Sequence, residues 1–279
     1  GTYDIEDIAG ACRQISMGKA SGIDQVFGEF IHTARKPLRR ILAAFFNKME
    51  SLGAISAEWK QSMICPVYKK KGEDTDIRNY RPIAGTSVVR RTYERLLLTQ
   101  LNGHVESLSN TQGGFRSHRS TLMQVLAAHD ITVLTPNIQQ VLLDFQAAYD
   151  MVNRTRLWEK LHTQFGVEKP LLHKLQLLFD GNSSCLLVEG EKSRFIPNQR
   201  GLLQGSSLSP ILFNFYINDL LLSLQEENQP AITIRNNRFN HLAFADDIVL
   251  FARTPGGMHH LLKVCEDWSI LNGMKFAAT

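Results

Sequence analysis

The stretch HLAFADDIVLFA, residues 241–252, sets Asp246 and Asp247 side by side inside an otherwise apolar run. Leu242, Phe244 and Ala245 precede the pair, and Ile248, Val249, Leu250 and Phe251 follow it. A carboxylate taken out of water and left unpaired costs several kcal/mol, and its pKa rises in response. Either something compensates these charges or they lie at a turn that reaches solvent. The pattern predicts a hairpin of two core strands whose turn is Asp246-Asp247.

A second carboxylate ends a second apolar run. In VLLDFQAAYD, residues 141–150, a β-rich segment stops at Asp144, about a hundred residues before the pair. If the strands are neighbours, three carboxylates converge at one sheet edge. They cannot all ionise side by side unless cations hold them. Oxygen-only ligands favour Mg²⁺ or Mn²⁺, and two such ions can clamp the attacking and leaving oxygens of phosphoryl transfer. The plainer alternative makes Asp-Asp a polar hairpin turn and Asp144 a strand-end cap.

Around these runs the chain reads as mixed helix and strand. Ile5, Ile8, Cys12 and Ile15 recur at helical spacing, KASGID breaks that helix, and KPLRRILAAFFNKMESLGAI is the next long one. SMICPVY predicts a strand, the loop KKKGEDTDIRN follows, and Pro82 keeps YRPIAG extended. SVVRRTYERLLLTQLNGHV is helical, and GGFRSHRSTLMQVLAAHD is a loop feeding a helix capped by Ser120 or Thr121. SSCLLVEGEKSRFI predicts a hairpin turning at Glu189-Gly190. SLSPILFNFYINDLLLSL has Ser209 as cap and Pro210 at the first helical position, and its all-round apolarity predicts burial. Leu261, Cys265 and Trp268 share one face of a last helix, closed by Gly273. The order predicts an α+β fold, an antiparallel sheet covered on one face by helices. MKFAAT reads as a strand just beginning, a cut in a longer chain.

Composition narrows the classes. The 279 residues, 43% hydrophobic and 21% charged, are enough for a sizeable core and one or two subdomains. No apolar run reaches membrane-spanning length, and the N-terminus lacks a signal-peptide pattern. Cys12, Cys65, Cys185 and Cys265 lack CxxC spacing and read as reduced, buried thiols of an intracellular protein. The nine histidines lack metal-ligand spacing, and His259-His260 read as exposed helix positions. Net charge is only +4, yet residues 60–95 carry nine basic against four acidic side chains, an excess of five. That cluster is either a phosphate-binding surface or a solvated charged face.

Six blocks, in order, resemble reverse transcriptases of non-LTR (LINE-like) retrotransposons. GKASGIDQVFGEFI resembles the K-A-x-G-x-D segment that opens the fingers, and NYRPIAGTSVVRRTYERLL resembles N-Y-R-P-I with its following helix. GGFRSHRSTLMQV resembles G-F-R-x-x-R-S-T, and LLDFQAAYDMVN resembles D-x-x-K-A-F-D. RGLLQGSSLSPILFNFYINDL resembles R-Q-G-x-x-L-S-P-L-L-F-N, and FADD resembles the x-x-D-D hairpin. The likeness covers roughly residues 12–279. It implies a right-hand polymerase fold with an antiparallel palm sheet backed by helices: fingers with part of the palm over 1–140, palm over 141–279, and no thumb in this chain.

The resemblance also implies roles. Asp144 and Asp246 become direct metal ligands with the Phe145 carbonyl, and Asp247 either ligates or tunes the site. Tyr149, five residues after Asp144, takes the place of an aromatic steric gate against a ribose 2′-OH, with core packing as the plainer reading. Arg81 and one of Lys69, Lys70 and Lys71 hold the incoming triphosphate. Gln204 and Gly205 contact nucleotide or template, while Lys19, Arg116 and Arg119 serve the template backbone. Two Mg²⁺ ions, replaceable by Mn²⁺, an RNA template, a DNA primer and dNTPs are the implied cofactors and partners. A thumb and endonuclease elsewhere in a polyprotein, no membrane association and a nuclear site complete the expectation. Ala147 and Tyr149 depart from the block's usual Lys and Phe without removing a ligand. The rival reading is a silent, domesticated scaffold that only binds nucleic acid. A viral RNA-dependent RNA polymerase is disfavoured because Tyr149 stands where those enzymes usually carry a second aspartate.

Overall fold

The computed structural model describes residues 2–234 and 236–277. The chain divides into two compact units, each assembled from two segments: Gly1–Gly103 with Gly166–Ser209, and His104–Phe165 with Pro210–Thr279. In chain order the elements are α1 (Ile5–Arg13), α2 (Gly28–His32), α3 (Lys36–Leu52), β1 (Gln61–Tyr68), β2 (Tyr80–Gly85), α4 (Val88–Val105), α5 (Thr121–Leu134) and β3 (Gln139–Leu143). Then come α6 (Ala148–Met151), α7 (Arg154–Thr163), α8 (Lys169–Phe179), β4 (Ser183–Val188), β5 (Glu191–Lys192) and β6 (Ile196–Pro197). The chain continues through α9 (Ser209–Gln225), β7 (Ile232–Ile234), β8 (Asn237–Phe239), β9 (His241–Phe244), β10 (Asp247–Ala252) and α10 (Pro255–Asn272). Among the described residues no helix is long and apolar enough to cross a membrane. All four cysteines are free, with Cys12, Cys185 and Cys265 buried.

The first unit is built on the sheet β2-β1-β4-β5, with β6 also on β4. β1 and β2 are antiparallel, whereas β1 and β4 run parallel, so this sheet is mixed. Its helices close over an aromatic cluster of Tyr3, Phe46, Trp59 and Tyr93. Glu50 accepts hydrogen bonds from the hydroxyls of Tyr3 and Tyr93 and pairs with Lys174 at 2.8 Å. The predicted turn at Glu189-Gly190 forms, with φ of 51° and 84°. Asp4 caps α1 through a capping box with Asp7.

The second unit carries the sheet β3-β10-β9, antiparallel throughout. α5 lies on it through Ile131, which joins Ile232, Leu242 and Phe251 in one apolar cluster. Ser120 caps α5, accepting from the Met123 N–H. α9 is buried as its composition predicts, but Ser209 does not cap it. The residue sits inside the helix, and its hydroxyl is buried without a hydrogen-bond partner among the described residues. With Pro210 next in the chain, the helix entry is set by the fixed proline φ rather than by a side-chain cap.

An ion pair ties α7, α9 and α10 together. Lys160 Nζ lies 2.8 Å from Asp219 Oδ2, donates to the Tyr216 carbonyl, and sits over the rings of Tyr216 and Trp268. Trp268 Nε1 donates to Asp219 at 2.9 Å. Removing Lys160 leaves the half-buried Asp219 carboxylate with the Trp268 and Leu220 N–H groups as donors. Lys160→Met is therefore expected to lower unfolding free energy by about 1–2 kcal/mol, read by urea denaturation.

Candidate active site

The aspartate hairpin turns one residue earlier than its sequence suggests. Phe244 pairs with Asp247, so the two-residue loop is Ala245-Asp246 and Asp247 opens β10. Ile248 and Leu250 are fully buried, so this register sends them into the core and leaves Asp247 exposed at the sheet end. Ala245 takes a left-handed φ of 57°, a conformation glycine adopts more cheaply.

The neighbouring strand delivers the third carboxylate. β10 pairs with β3 from Ala252↔Gln139 to Ile248↔Leu143. One step beyond that last pair, the antiparallel register sets Asp247 opposite Asp144. Asp144 is exposed and Asp246 half-buried, so all three carboxylates stand at the open end of one sheet. Burial pushes the Asp247 carboxyl above the usual range, and the Asp144 charge pushes it further. The apolar run is two core strands, and the charges sit where those strands end.

Phe145 is buried and opposes Phe276, with the Gln146 N–H donating to Lys275 and the Ala277 N–H donating to Asp144. Those bonds flank Phe145, and the alternation of an antiparallel ladder turns its own carbonyl the other way, toward the β10 side. Tyr149 stacks on Phe213, with centroids 5.3 Å apart and planes 18° apart. Burial, and then the Asp246 charge, raise its phenol above the ordinary value. Tyr149 therefore stands within electrostatic reach of the aspartate turn and is packed on Phe213.

The donor set suits a hard divalent cation. All candidate ligands are oxygens, the Asp144 charge raises the Asp247 carboxyl, and the cluster opens to solvent. Among the described residues no three His, Cys, Asp or Glu side chains already stand at ligand spacing. A cation would have to draw the carboxylates in.

Gln112 is the residue that the motif reading missed. It lies just ahead of the GGFR block and is fully buried. Its Oε1 accepts from the N–H groups of Ala245 and Gly114, both at 2.8 Å, and its Nε2 donates to the Ala245 carbonyl at 3.1 Å. Only an uncharged side chain with donor and acceptor together can do this. A lone glutamine just ahead of two loop glycines carries little signal in sequence. Arg116 and Arg119 are likewise turned to local structure. Arg116 donates to the carbonyls of Leu108, Ser109 and Gln112, and Arg119 to the carbonyl of Asn110.

In the first unit, Arg81 is exposed on β2, across from Val67. Of the three lysines, Lys69 Nζ donates to the Arg78 carbonyl, while Lys70 and Lys71 are exposed in the β1–β2 loop. The Gln204 carbonyl accepts from the Ala84 N–H at 2.6 Å, which docks the Gln204-Gly205 turn on β2. Gly205 has φ 134°, and an added Cβ would overlap the Ala84 carbonyl oxygen. Ser207 donates its N–H to Glu94 at 2.7 Å, and Glu94 is held in a buried pair with Arg90. Lys19 is exposed in the segment between α1 and α2.

A family model described as reverse transcriptase (RNA-dependent DNA polymerase) matches residues 68–279. The Pol polyprotein of the type-2 retrotransposable element R2DM from Drosophila melanogaster is 30% identical over 72% of this chain and 19% of its own length. The Pol polyprotein of the type-1 element R2 from Popillia japonica is 28% identical over 81% and 32%. The RNA-directed DNA polymerase of the mobile element jockey from D. melanogaster is 23% identical over 95% and 30%. The chain thus spans a fifth to a third of these curated relatives. Among solved structures, apo telomerase from Candida tropicalis, truncated from its C-terminal domain, matches with a TM-score of 0.53 at 13% identity, over 82% of this chain and 51% of that one. That likeness concerns the fold.

Proposed function

This chain belongs to the reverse transcriptase (RNA-dependent DNA polymerase) family, and from that premise we propose that it is the fingers and palm of an RNA-directed DNA polymerase from a non-LTR retroelement. The observation that carries the reading is the convergence of Asp144, Asp246 and Asp247 at one end of a three-stranded sheet. A scaffold that only bound nucleic acid would lose stability by keeping repelling carboxylates together.

In this proposal Asp144, Asp246 and the Phe145 carbonyl hold the metal, with Asp247 beside them. The family's cofactor is a divalent ion; we propose two Mg²⁺, replaceable by Mn²⁺, and when bound they neutralise the attacking and leaving oxygens. Arg81 and one of Lys69, Lys70 and Lys71 bind the triphosphate, Lys69 also donating to the Arg78 carbonyl. Gln204 and Gly205 form the surface against the new base pair. Tyr149 closes the sugar site to a 2′-OH. Lys19 contacts the template backbone, and Arg116 and Arg119 build the loop at which template phosphate would lie. An RNA template, a DNA primer and dNTPs are the partners, with a thumb and endonuclease in a longer polyprotein. The fingers over 1–140, the palm over 141–279, and an intracellular, nuclear site belong to the same proposal.

The test is Mg²⁺-dependent primer extension with dNTPs on an RNA template, run on this chain and on a version extended through the thumb. Extension that Asp246→Asn removes supports the polymerase. An extended protein that stays inactive with Mg²⁺ and Mn²⁺ yet binds template–primer would establish the scaffold instead. Within the active protein, Tyr149→Ala is expected to improve rNTP use relative to dNTP by about 10–100-fold, the worth of one rejected group in a tight pocket. A wild type that already prefers rNTPs would overturn the gate.

A further inference from the structure

We propose that Gln112 is a positioning residue for Asp246: its side-chain amide fixes the turn that presents the carboxylate, and with it the affinity of the site for a divalent cation. The inference rests on the reading of Asp246 as a metal ligand. Four observations carry it.

First, Gln112 grips a single residue from both sides, bonding the N–H and the carbonyl of Ala245, the residue just before Asp246. The amide gives the Ala245 backbone the donor and acceptor that a neighbouring strand would supply. Second, the gripped residue needs holding, because Ala245 has φ 57° without being glycine. Third, the base of the clamp is rigid. Ala243 bonds Thr111 and Gly113 through its own N–H and carbonyl, at 3.0 and 2.8 Å, so residues 111–113 run along β9 as a short parallel partner. Gln124 Nε2 donates to the Thr111 carbonyl, and Asn214 Nδ2 to the Gly114 carbonyl at 2.7 Å, which anchor the loop to α5 and α9. Fourth, Gly114 lies so close that an added Cβ would overlap the Ala245 backbone nitrogen. The loop touches the turn through backbone, leaving the glutamine as the only side chain of residues 111–114 that bonds it.

A freed turn would interconvert between loop geometries, and Asp246 would spend part of its time pointing away from Asp144 and Asp247. The cost would fall on cation affinity as well as on stability, since buried groups of Ala245 and Gly114 lose their partner, while the Ala243 backbone pairing still holds the loop in place. Loss of a group that orients a ligand typically weakens metal binding about 10–100-fold.

The experiment measures Mn²⁺ binding to this chain by the loss of the free-ion electron paramagnetic resonance signal, beside thermal melting without metal. The variants are Gln112→Met, Gln112→Asn, Ala245→Gly, Gln112→Met with Ala245→Gly, and Asp246→Asn. Gln112→Asn keeps an amide that is one methylene too short to reach Ala245, and it serves if Gln112→Met does not fold. The expected result is an Mn²⁺ Kd raised about tenfold in either Gln112 variant, with partial recovery in the double variant, because glycine holds a positive φ unaided. Folded Gln112 variants that bind Mn²⁺ as wild type does would reduce Gln112 to loop packing and overturn the proposal. So would a double variant with no recovery. If Asp246→Asn leaves Mn²⁺ binding unchanged, the metal-ligand reading fails and takes this inference with it.

Discussion

Asp246→Asn is expected to lower RNA-templated primer extension by at least about 10³-fold at saturating substrates, since a metal-bound oxyanion is worth several kcal/mol of transition-state charge and each 1.36 kcal/mol is tenfold. The substitution is nearly isosteric, and residue 246 is half-buried in a loop in which Gln112 holds the backbone of the preceding Ala245. Folding should therefore survive it. Melting without metal should stay within about 0.5 kcal/mol of wild type, the usual range for a surface change away from packing. Loss of one charge also relieves repulsion at the sheet end, which acts in the same protective direction. The paired measurement is steady-state extension with a titration of Mg²⁺. Activity recovered in full at high Mg²⁺ would mean that Asp246 assists binding without being a ligand.

Gly205→Ala is expected to be nearly as damaging by a different route. At φ 134° a side chain is strained whatever the space, and the space is filled by the Ala84 carbonyl. Either the Gln204-Gly205 turn lifts from β2, breaking the bond between the Ala84 N–H and the Gln204 carbonyl, or β2 itself shifts. β2 carries Arg81, so both outcomes disturb residues proposed to hold the nucleotide. Strain of this kind costs of order 1–3 kcal/mol, and a 1 Å misplacement of a positioning surface can cost about 10²-fold in rate. The expected signature is a rise in KM for dNTP together with lower kcat, and a lower melting temperature. The Mn²⁺ affinity of the aspartate cluster should stay at its wild-type value, because the atoms an added Cβ at Gly205 would meet belong to Ala84 and not to the carboxylate-bearing strands. A variant with unchanged dNTP kinetics would remove Gly205 from the nucleotide surface.

Much of this was legible because hydrophobic period and turn chemistry act locally. The strand before Asp144, the buried α9 and the hairpin at Glu189-Gly190 follow from patterns a few residues long. The resemblance blocks supplied the order of the candidate site residues. What was not legible depends on contacts distant in sequence or on a choice between close alternatives. The turn at Ala245-Asp246 differs from Asp246-Asp247 by one step, and a positive φ at alanine is something local preference argues against. It is stabilised by Gln112, 133 positions away. The idle hydroxyl of Ser209 shows the opposite failure, a strong cap signal made redundant by the proline beside it. Arg116 and Arg119 read as phosphate ligands from their place before a helix N-terminus, and their added bonds to the carbonyls of Ser109 and Asn110 gave no signal in sequence. The parallel pairing of β1 with β4 joins residues some 120 apart, which no window detects.

The strand order β3-β10-β9 also constrains how the protein is made. The central strand of that sheet is the last of the three to leave the ribosome. Until residue 252 has emerged, β3 and β9 have no shared partner, and each offers an open edge to other chains. The closing contacts are far apart in sequence, which makes such a sheet slow to form. A nascent chain stalled between residues 210 and 247 would thus hold Asp144 at the end of a strand that still lacks its partner β10. Chaperone capture and aggregation of ribosome-bound intermediates should peak in that window and fall once β10 has been inserted.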